Sequence, residues 1–330
     1  MISVDLPLLE IEAARIALRA LPPRFPCLTV EDGAARAGRL LVKPECLMPT
    51  GSFKIRGAMF RLSRLSAAEK ARGVIAYSTG NHAQAVAYAA QKFGLRAVIV
   101  MSPDVPANKI EATARWGAEI MMADPNSEAR RSLAERLAAE HGFVLVPPYD
   151  DLAIMAGQGT IGLEIVEEFP DAADLTVYVP IGGGGLIAGV AAALKQKNPR
   201  IRVVGVEPDL ENDAFLSFRS GERVALSGPS ASIADAIKVQ RLGDFTWPLI
   251  RRYVDDVETV EEAEIAAASL ACFTALKLVA EPGGAVAFAA ADRASRAKTG
   301  GALALLCGGN VALERLAAIG AGPFCSAPDR

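Results

Sequence analysis

Histidine is nearly missing from this chain: His82 and His141 are the only two in 330 residues. A histidine-based catalytic triad or a histidine-rich metal site is all but excluded by that scarcity. The five cysteines, Cys27, Cys46, Cys272, Cys307 and Cys325, are odd in number and widely spread, and none forms a Cys-x-x-Cys pair. They complete no zinc pattern and fit free thiols in a reducing cytoplasm. The net charge of −3 gives no electrostatic case for nucleic acid or for a membrane surface. The N-terminus lacks the basic and apolar regions of a secretory signal. There is no internal repeat and no low-complexity linker. One stretch, Leu175 to Leu194, runs 20 residues without a charge, but Pro180 and Gly182–Gly185 break it in the middle. It reads as strand, loop and helix rather than as a membrane span.

What is present is an ordinary globular composition, 51% hydrophobic and 22% charged, long enough for two domains. Short apolar runs alternate with longer helical ones. Strands are predicted at 74–78, 97–101, 119–122 and 143–146. Helices are predicted at 83–93, 107–116 and 127–141, closed by Gly94, Gly117 and Gly142 where C-caps belong. A second set has strands around 177–179, 203–206 and 303–307 and a helix from Leu186. Such alternation predicts an α/β fold in two domains, each a mainly parallel sheet flanked by helices. The change between the sets falls near Pro147-Pro148-Tyr149-Asp150. The segment Gly320 to Arg330 reads as a loose tail.

The most informative stretch is Pro180-Ile-Gly-Gly-Gly-Gly-Leu-Ile187, between a predicted strand and a predicted helix. Bare backbone N–H groups at a helix N-terminus suit a phosphate, although a tight turn would look the same. Lys54, after a Pro-Thr-Gly turn, is either a solvent-facing lysine or a desolvated amine able to act as nucleophile or base. Ser78-Thr-Gly-Asn-His-Ala-Gln84 offers donors to a carboxylate or simply caps a helix. Glu207-Pro-Asp-Leu-Glu-Asn-Asp213 suits a hard cation or is a solvated acidic turn. Glu281-Pro-Gly-Gly-Ala285 and Cys307-Gly-Gly-Asn310 sit at element boundaries. Taken together, a phosphate cradle, a candidate imine-forming lysine and Gly/Asn loops at strand ends suggest pyridoxal phosphate (PLP).

In this combination the chain resembles the PLP-dependent serine/threonine dehydratase and serine racemase family, of the tryptophan-synthase-β fold. The matching segments are Thr50-Gly-Ser-Phe-Lys-Ile-Arg-Gly-Ala58, Ser78 to Gln84, Ala156-Gly-Gln-Gly-Thr160, Pro180 to Gly185, Glu207-Pro208, Glu281-Pro282 and Cys307 to Asn310. The resemblance implies that Lys54 holds PLP and serves as base. Gly182, Gly183, Gly184 and Gly185 would bind its phosphate, Asn81 its 3′-oxygen, and Phe53 would pack beside its ring. Cys307 would face the pyridine nitrogen, with Glu281 also in the cofactor site. Ser78, Thr79, Gly80, Asn81 and His82 would hold the substrate carboxylate, with Arg130 as a second contact. Glu207, Glu211 and Asp213 would bind a divalent cation (Mg²⁺, Ca²⁺ or Mn²⁺), Glu211 through its backbone carbonyl.

The implied activity is an ammonia-lyase that converts a β-hydroxy amino acid to a 2-oxo acid and ammonia. The alternatives are a racemase, with Thr79 where racemases carry a second, hydroxyl-bearing base, and a non-catalytic PLP-binding protein. Tyr77, Tyr149 and Val239-Gln-Arg241 depart from what a serine substrate would want and hint at a larger or more polar β-substituent, as in 3-hydroxyaspartate or 3-phenylserine. A large domain of residues 1–72 and 150–330, a smaller mobile one of residues 73–149, and a cytoplasmic homodimer are expected. No regulatory domain is expected after residue 330.

Overall fold

Two sheets, with buried apolar strands at their centres, organise the chain. The computed structural model describes residues 4–21, 24–103, 105, 107–124 and 127–322. The larger sheet has six strands in the order β1 (Leu28–Thr29), β2 (Arg39–Lys43), β10 (Gly301–Leu305), β7 (Leu175–Pro180), β8 (Arg202–Pro208) and β9 (Asp256–Val260). Only β1 runs antiparallel to its neighbour. The smaller sheet has the order β5 (Glu119–Met122), β4 (Ala97–Met101), β3 (Val74–Tyr77) and β6 (Val144–Leu145), all parallel. The expected α/β class with mainly parallel sheets is what is found.

The two-residue period of a strand sends alternate side chains to opposite faces. Leu41, Val177, Val203 and Leu303 enter one core, while Leu40, Tyr178, Val204 and Ala302 enter another on the far face. In the smaller sheet Ala76 and Ile99 join the first core, and Ile75 and Val98 face a third cluster under Leu137 and Phe143. The first core thus binds both sheets to the helices between them. Central strands buried on both faces require helices above and below, which is why they read as continuous apolar runs.

Helix boundaries follow the glycines. Gly94 and Gly142, at positive φ, directly follow the helices Asn81–Phe93 and Ser127–His141, while the helix Ala107–Ala114 ends two residues short of its predicted end, three residues before Gly117, also at positive φ. The helix predicted from Ala83 begins two residues earlier, which places Asn81 and His82 in its first turn. The strand predicted over 303–307 ends at Leu305, leaving Cys307 in the loop beyond it. Gly320 and Ala321 close the helix Leu313–Ala321, and residues 323–330 of the expected tail lie outside the described residues.

The sheets position the site through their C-terminal edges. The loops after β3, β6, β7 and β10 carry Ser78–Gly80, Pro148–Tyr149, Gly182–Gly184 and Cys307 respectively, and all of them border one cavity of about 720 Å³. Ligand crevices of open parallel sheets lie at this edge.

Candidate active site

Lys54 opens the helix Lys54–Ser63, and the rest of that helix anchors it. Two residues on, the buried Arg56 guanidinium donates to both oxygens of Glu45 at 2.8 Å and to those of Glu164 at 2.6 and 3.0 Å. It also reaches Thr160 Oγ1 at 3.1 Å. Lys43 closes the network from the other side, 2.9 Å from Glu164. A Cβ on Gly157 would fall 2.6 Å from Gly57 Cα, so the helices Lys54–Ser63 and Leu152–Glu168 touch backbone to backbone. The Lys-Ile-Arg-Gly and Ala-Gly-Gln-Gly-Thr segments are therefore two sides of one packed joint.

The Lys54 Nζ donates to the Pro148 carbonyl at 2.7 Å and lies 5.2 Å from the Phe53 ring centroid. Burial disfavours its ammonium form and lowers its pKa from 10.5 to about 8, with the nearby Cys307 acting weakly the other way. At neutral pH this amine carries far more of the unprotonated, reactive form than a surface lysine does. The Lys54 side chain is half-buried.

Two helix N-termini open onto the same cavity. The helix Gly185–Lys197 starts from Gly184, held at φ +91° with no side-chain cap. A Cβ on Gly183 would fall 2.4 Å from Tyr149 Cγ, so no larger residue fits that turn. The Gly183 carbonyl accepts from Thr246 Oγ1 at 2.8 Å, and Asp150 accepts from the amides of Asp244 and Phe245 at 2.9 and 2.8 Å. These bonds fix the loop. The helix Asn81–Phe93 likewise starts from Gly80 without a side-chain cap. Ser78 Oγ accepts instead from Gly80 N at 3.3 Å, so the capping reading of this loop is not realised. Uncapped amides at both ends are free for anions.

His82 is buried, and its Nε2 lies 2.9 Å from the Val146 carbonyl. Burial first, and the Lys54 charge second, lower its pKa to about 3. It is a neutral imidazole tying the Ser78–His82 loop to the end of β6, and it supplies no positive charge. Asn81 donates to Glu281 Oε1 at 2.5 Å and accepts from Asn310 Nδ2 at 2.7 Å. Burial raises the Glu281 carboxyl to about 7, with Asn81 opposing. Cys307 is buried on the same wall, its thiol pushed up by desolvation and then by Glu281. Thr79 and Arg130 also border the cavity.

The acidic group lies outside that wall. Both Glu207 oxygens accept backbone amides, from Ala214 at 3.2 Å and Phe215 at 2.7 Å, and burial raises its pKa well above the ordinary value. Asp213 is raised to about 7, by burial first and also by the Glu211 charge, with backbone hydrogen bonds opposing. One oxygen each of Glu211 and Asp213 is buried without a partner. Among the described residues no three His, Cys, Asp or Glu side chains converge as a ligand set. Two carboxylates and a backbone carbonyl, as the resemblance implies, remain compatible with that finding.

Sequence reading missed the clasp of Asp150 on the loop before Thr246 and the ion pair of Lys109 with Asp235 at 3.3 Å on the cavity wall. No local pattern signals either one.

Lys54, the glycine loop before the helix Gly185–Lys197 and the uncapped start of the helix Asn81–Phe93 border one cleft, and the class of enzyme follows from the comparison with known families. The chain belongs to the pyridoxal-phosphate dependent enzyme family, whose model matches residues 22–308. It is 41% identical over 298 residues to an L-threo-3-hydroxyaspartate ammonia-lyase of Saccharomyces cerevisiae, covering 90% of each chain. It is 42% identical to an L-threonine ammonia-lyase of Thermotoga maritima, covering 83% of this chain and 68% of that one. The structure of maize serine racemase superposes with a TM-score of 0.88 at 36% identity, covering 94% of this chain and 95% of that one. The expected PLP-dependent lyase and its fold are thereby borne out. Among the described residues no helix is long and apolar enough to cross a membrane.

Proposed function

We propose that Lys54 is the PLP-bearing residue and general base of an ammonia-lyase acting on a β-hydroxy amino acid. One observation carries this reading: the half-buried Lys54 amine, its pKa lowered by desolvation to about 8, shares a cavity with two uncapped helix N-termini. One N-terminus, at Gly182–Gly185, suits a phosphate, and the other, at Ser78–His82, suits an α-carboxylate. Asn81, held by Glu281 and Asn310, keeps a second amide hydrogen for the 3′-oxygen of PLP. Cys307 is a neutral partner for the ring nitrogen.

Bound PLP supplies the electron sink that acidifies Cα–H. The loop Ser78–His82, with Arg130, orients the substrate by its carboxylate. Lys54 Nζ, unprotonated and shielded from water, takes the Cα proton. The β-hydroxyl departs as water, which returns in the hydrolysis of the released enamine, leaving a 2-oxo acid and ammonia.

The reading extends to a cation held by Glu207, Asp213 and the Glu211 carbonyl, supported by the orphaned oxygens there. It includes closure of the unit 73–149 over the substrate, with Lys109 and Asp235 spanning the cleft, and a cytoplasmic homodimer. Cys27, Cys46, Cys272 and Cys307 are free thiols, as a reducing compartment favours. Racemization is the second reading, because the Thr79 hydroxyl borders the cavity. A Thr79→Ala protein that loses racemization but keeps elimination would assign it. The primary test is release of 2-oxo acid and ammonia by PLP-loaded protein from serine, threonine, 3-hydroxyaspartate and 3-phenylserine. Lys54→Ala should abolish it, and undiminished activity in that variant would refute the proposal.

A further inference from the structure

The segment from Val146 to Asp151, between β6 and the helix Leu152–Glu168, ties the parts of the site to one another. The Val146 carbonyl lies 2.9 Å from His82 Nε2, and the Pro148 carbonyl accepts from Lys54 Nζ at 2.7 Å. The Tyr149 ring packs against Gly183. Asp151 accepts from Arg61 Nε at 2.8 Å, on the helix that Lys54 opens. Asp150 reaches the other way. Its Oδ1 accepts from the amides of Phe245 and Thr246 at 2.8 and 3.3 Å, and its Oδ2 from that of Asp244 at 2.9 Å. Amides at the start of the helix Thr246–Tyr253 have no partner within it, and Asp150 supplies one from a distant part of the chain. A Cβ on Gly243 would overlap the Asp150 carboxylate, so this turn closes on it with no room for a side chain.

The same turn grips the glycine loop. The Gly183 carbonyl accepts from Thr246 Oγ1 at 2.8 Å and from Gly243 N at 3.3 Å. In a planar trans peptide the C=O and the next N–H point opposite ways. Pinning the Gly183 carbonyl onto the buried Thr246 therefore turns the Gly184 N–H away from Thr246, in a loop whose glycines 182–185 border the cavity. Gly184 sits at φ +91°, and Thr246 Cβ lies 2.9 Å from where a Cβ on Gly184 would be. The loop has little room to turn this peptide over.

We propose that Asp150 and Thr246 are positioning residues for the cofactor phosphate. Asp150 sets the turn, Thr246 sets the Gly183–Gly184 peptide, and together they hold the glycine loop in register with Lys54. This rests on the PLP reading above. Both residues act through the loop and leave the chemistry at Lys54 to the amine itself.

The test is absorbance titration of PLP-free protein with PLP and with pyridoxal, which keeps the aldehyde and lacks the phosphate. Wild type is compared with Asp150→Ala, Asp150→Asn, Thr246→Val and Thr246→Ser, each checked for an unchanged melting temperature in the PLP-free form. Thr246→Val keeps the shape and loses the hydroxyl, and Thr246→Ser keeps the hydroxyl. The affinity for PLP should fall at least about tenfold in Asp150→Ala and Thr246→Val, while that for pyridoxal changes less than about twofold. Thr246→Ser should recover most of the loss, and Asp150→Asn, with one acceptor oxygen left, part of it. In the holoenzymes the phosphorus resonance of bound PLP should move in Thr246→Val and return in Thr246→Ser. Should Asp150→Ala melt early, the two Thr246 variants decide. Equal losses for PLP and pyridoxal would mark a general disturbance of the fold and overturn the proposal. So would a PLP affinity unmoved in all four variants, or tighter PLP binding by Asp150→Asn, which would mean that the Asp150 charge only repels the phosphate. A wild type that binds PLP no more tightly than pyridoxal would overturn the phosphate cradle itself, and the positioning roles with it.

Discussion

Replacing Lys54 by methionine removes a titrating group from a buried site and keeps a side chain of similar length. Burial lowers the lysine pKa from 10.5 to about 8. The unfolded chain holds this proton up to the higher value, so between the two the unfolded state binds more protons and stability rises with pH. At pH 7 the shift corresponds to about 3 kcal/mol of penalty, since each unit is worth about 1.4 kcal/mol. Near pH 10 less than about 1 kcal/mol of it remains. The Tyr149 and Tyr178 phenols, raised to about 12, pull the other way at high pH. They are present in both proteins and cancel in the difference. Urea unfolding of the PLP-free proteins from pH 7 to 10 should show the wild type gaining about 2 to 3 kcal/mol on Lys54→Met. A difference that stays constant across this range would refute the claim that Lys54 is desolvated.

Arg56→Met should destabilise the protein by about 3 to 5 kcal/mol in the same assay, because it leaves Glu45 and Glu164 buried with one partner fewer. Gly183→Ala places a Cβ within 2.4 Å of the Tyr149 ring and should weaken PLP binding at least tenfold in an absorbance titration. Mg²⁺ should raise the melting temperature and a chelator lower it, and Asp213→Asn should blunt both responses, because the orphaned Asp213 oxygen is a ligand in the proposed cation site.

The parts of the molecule legible in the sequence are those with local signatures. The glycine run between β7 and its helix, the alternating strands and helices of residues 74–146, and the closing glycines all rest on near-neighbour chemistry. Strands β1 and β9 escape such reading for physical reasons. The first is two exposed residues long, and the second carries Asp256 and Glu258 at an edge where one side faces water. The Arg56 network joins residues 45, 56, 160 and 164, which only tertiary packing brings together. Tyr77 and Tyr149 stand out in sequence as departures from a serine-sized site. The packing of Tyr149 on the glycine loop emerges only from the tertiary structure. His82 shows a long-range tie of the same kind: its Nε2 lies 2.9 Å from the Val146 carbonyl, 64 residues away in sequence.

Borohydride reduction of the PLP-loaded protein, followed by peptide mapping, tests the central claim most directly. Reduction locks the cofactor onto the amine that carries it. The account predicts a pyridoxyl adduct on the peptide containing Lys54, absent from the Lys54→Ala protein. An adduct on another lysine, or none on a protein that still binds PLP, would contradict it.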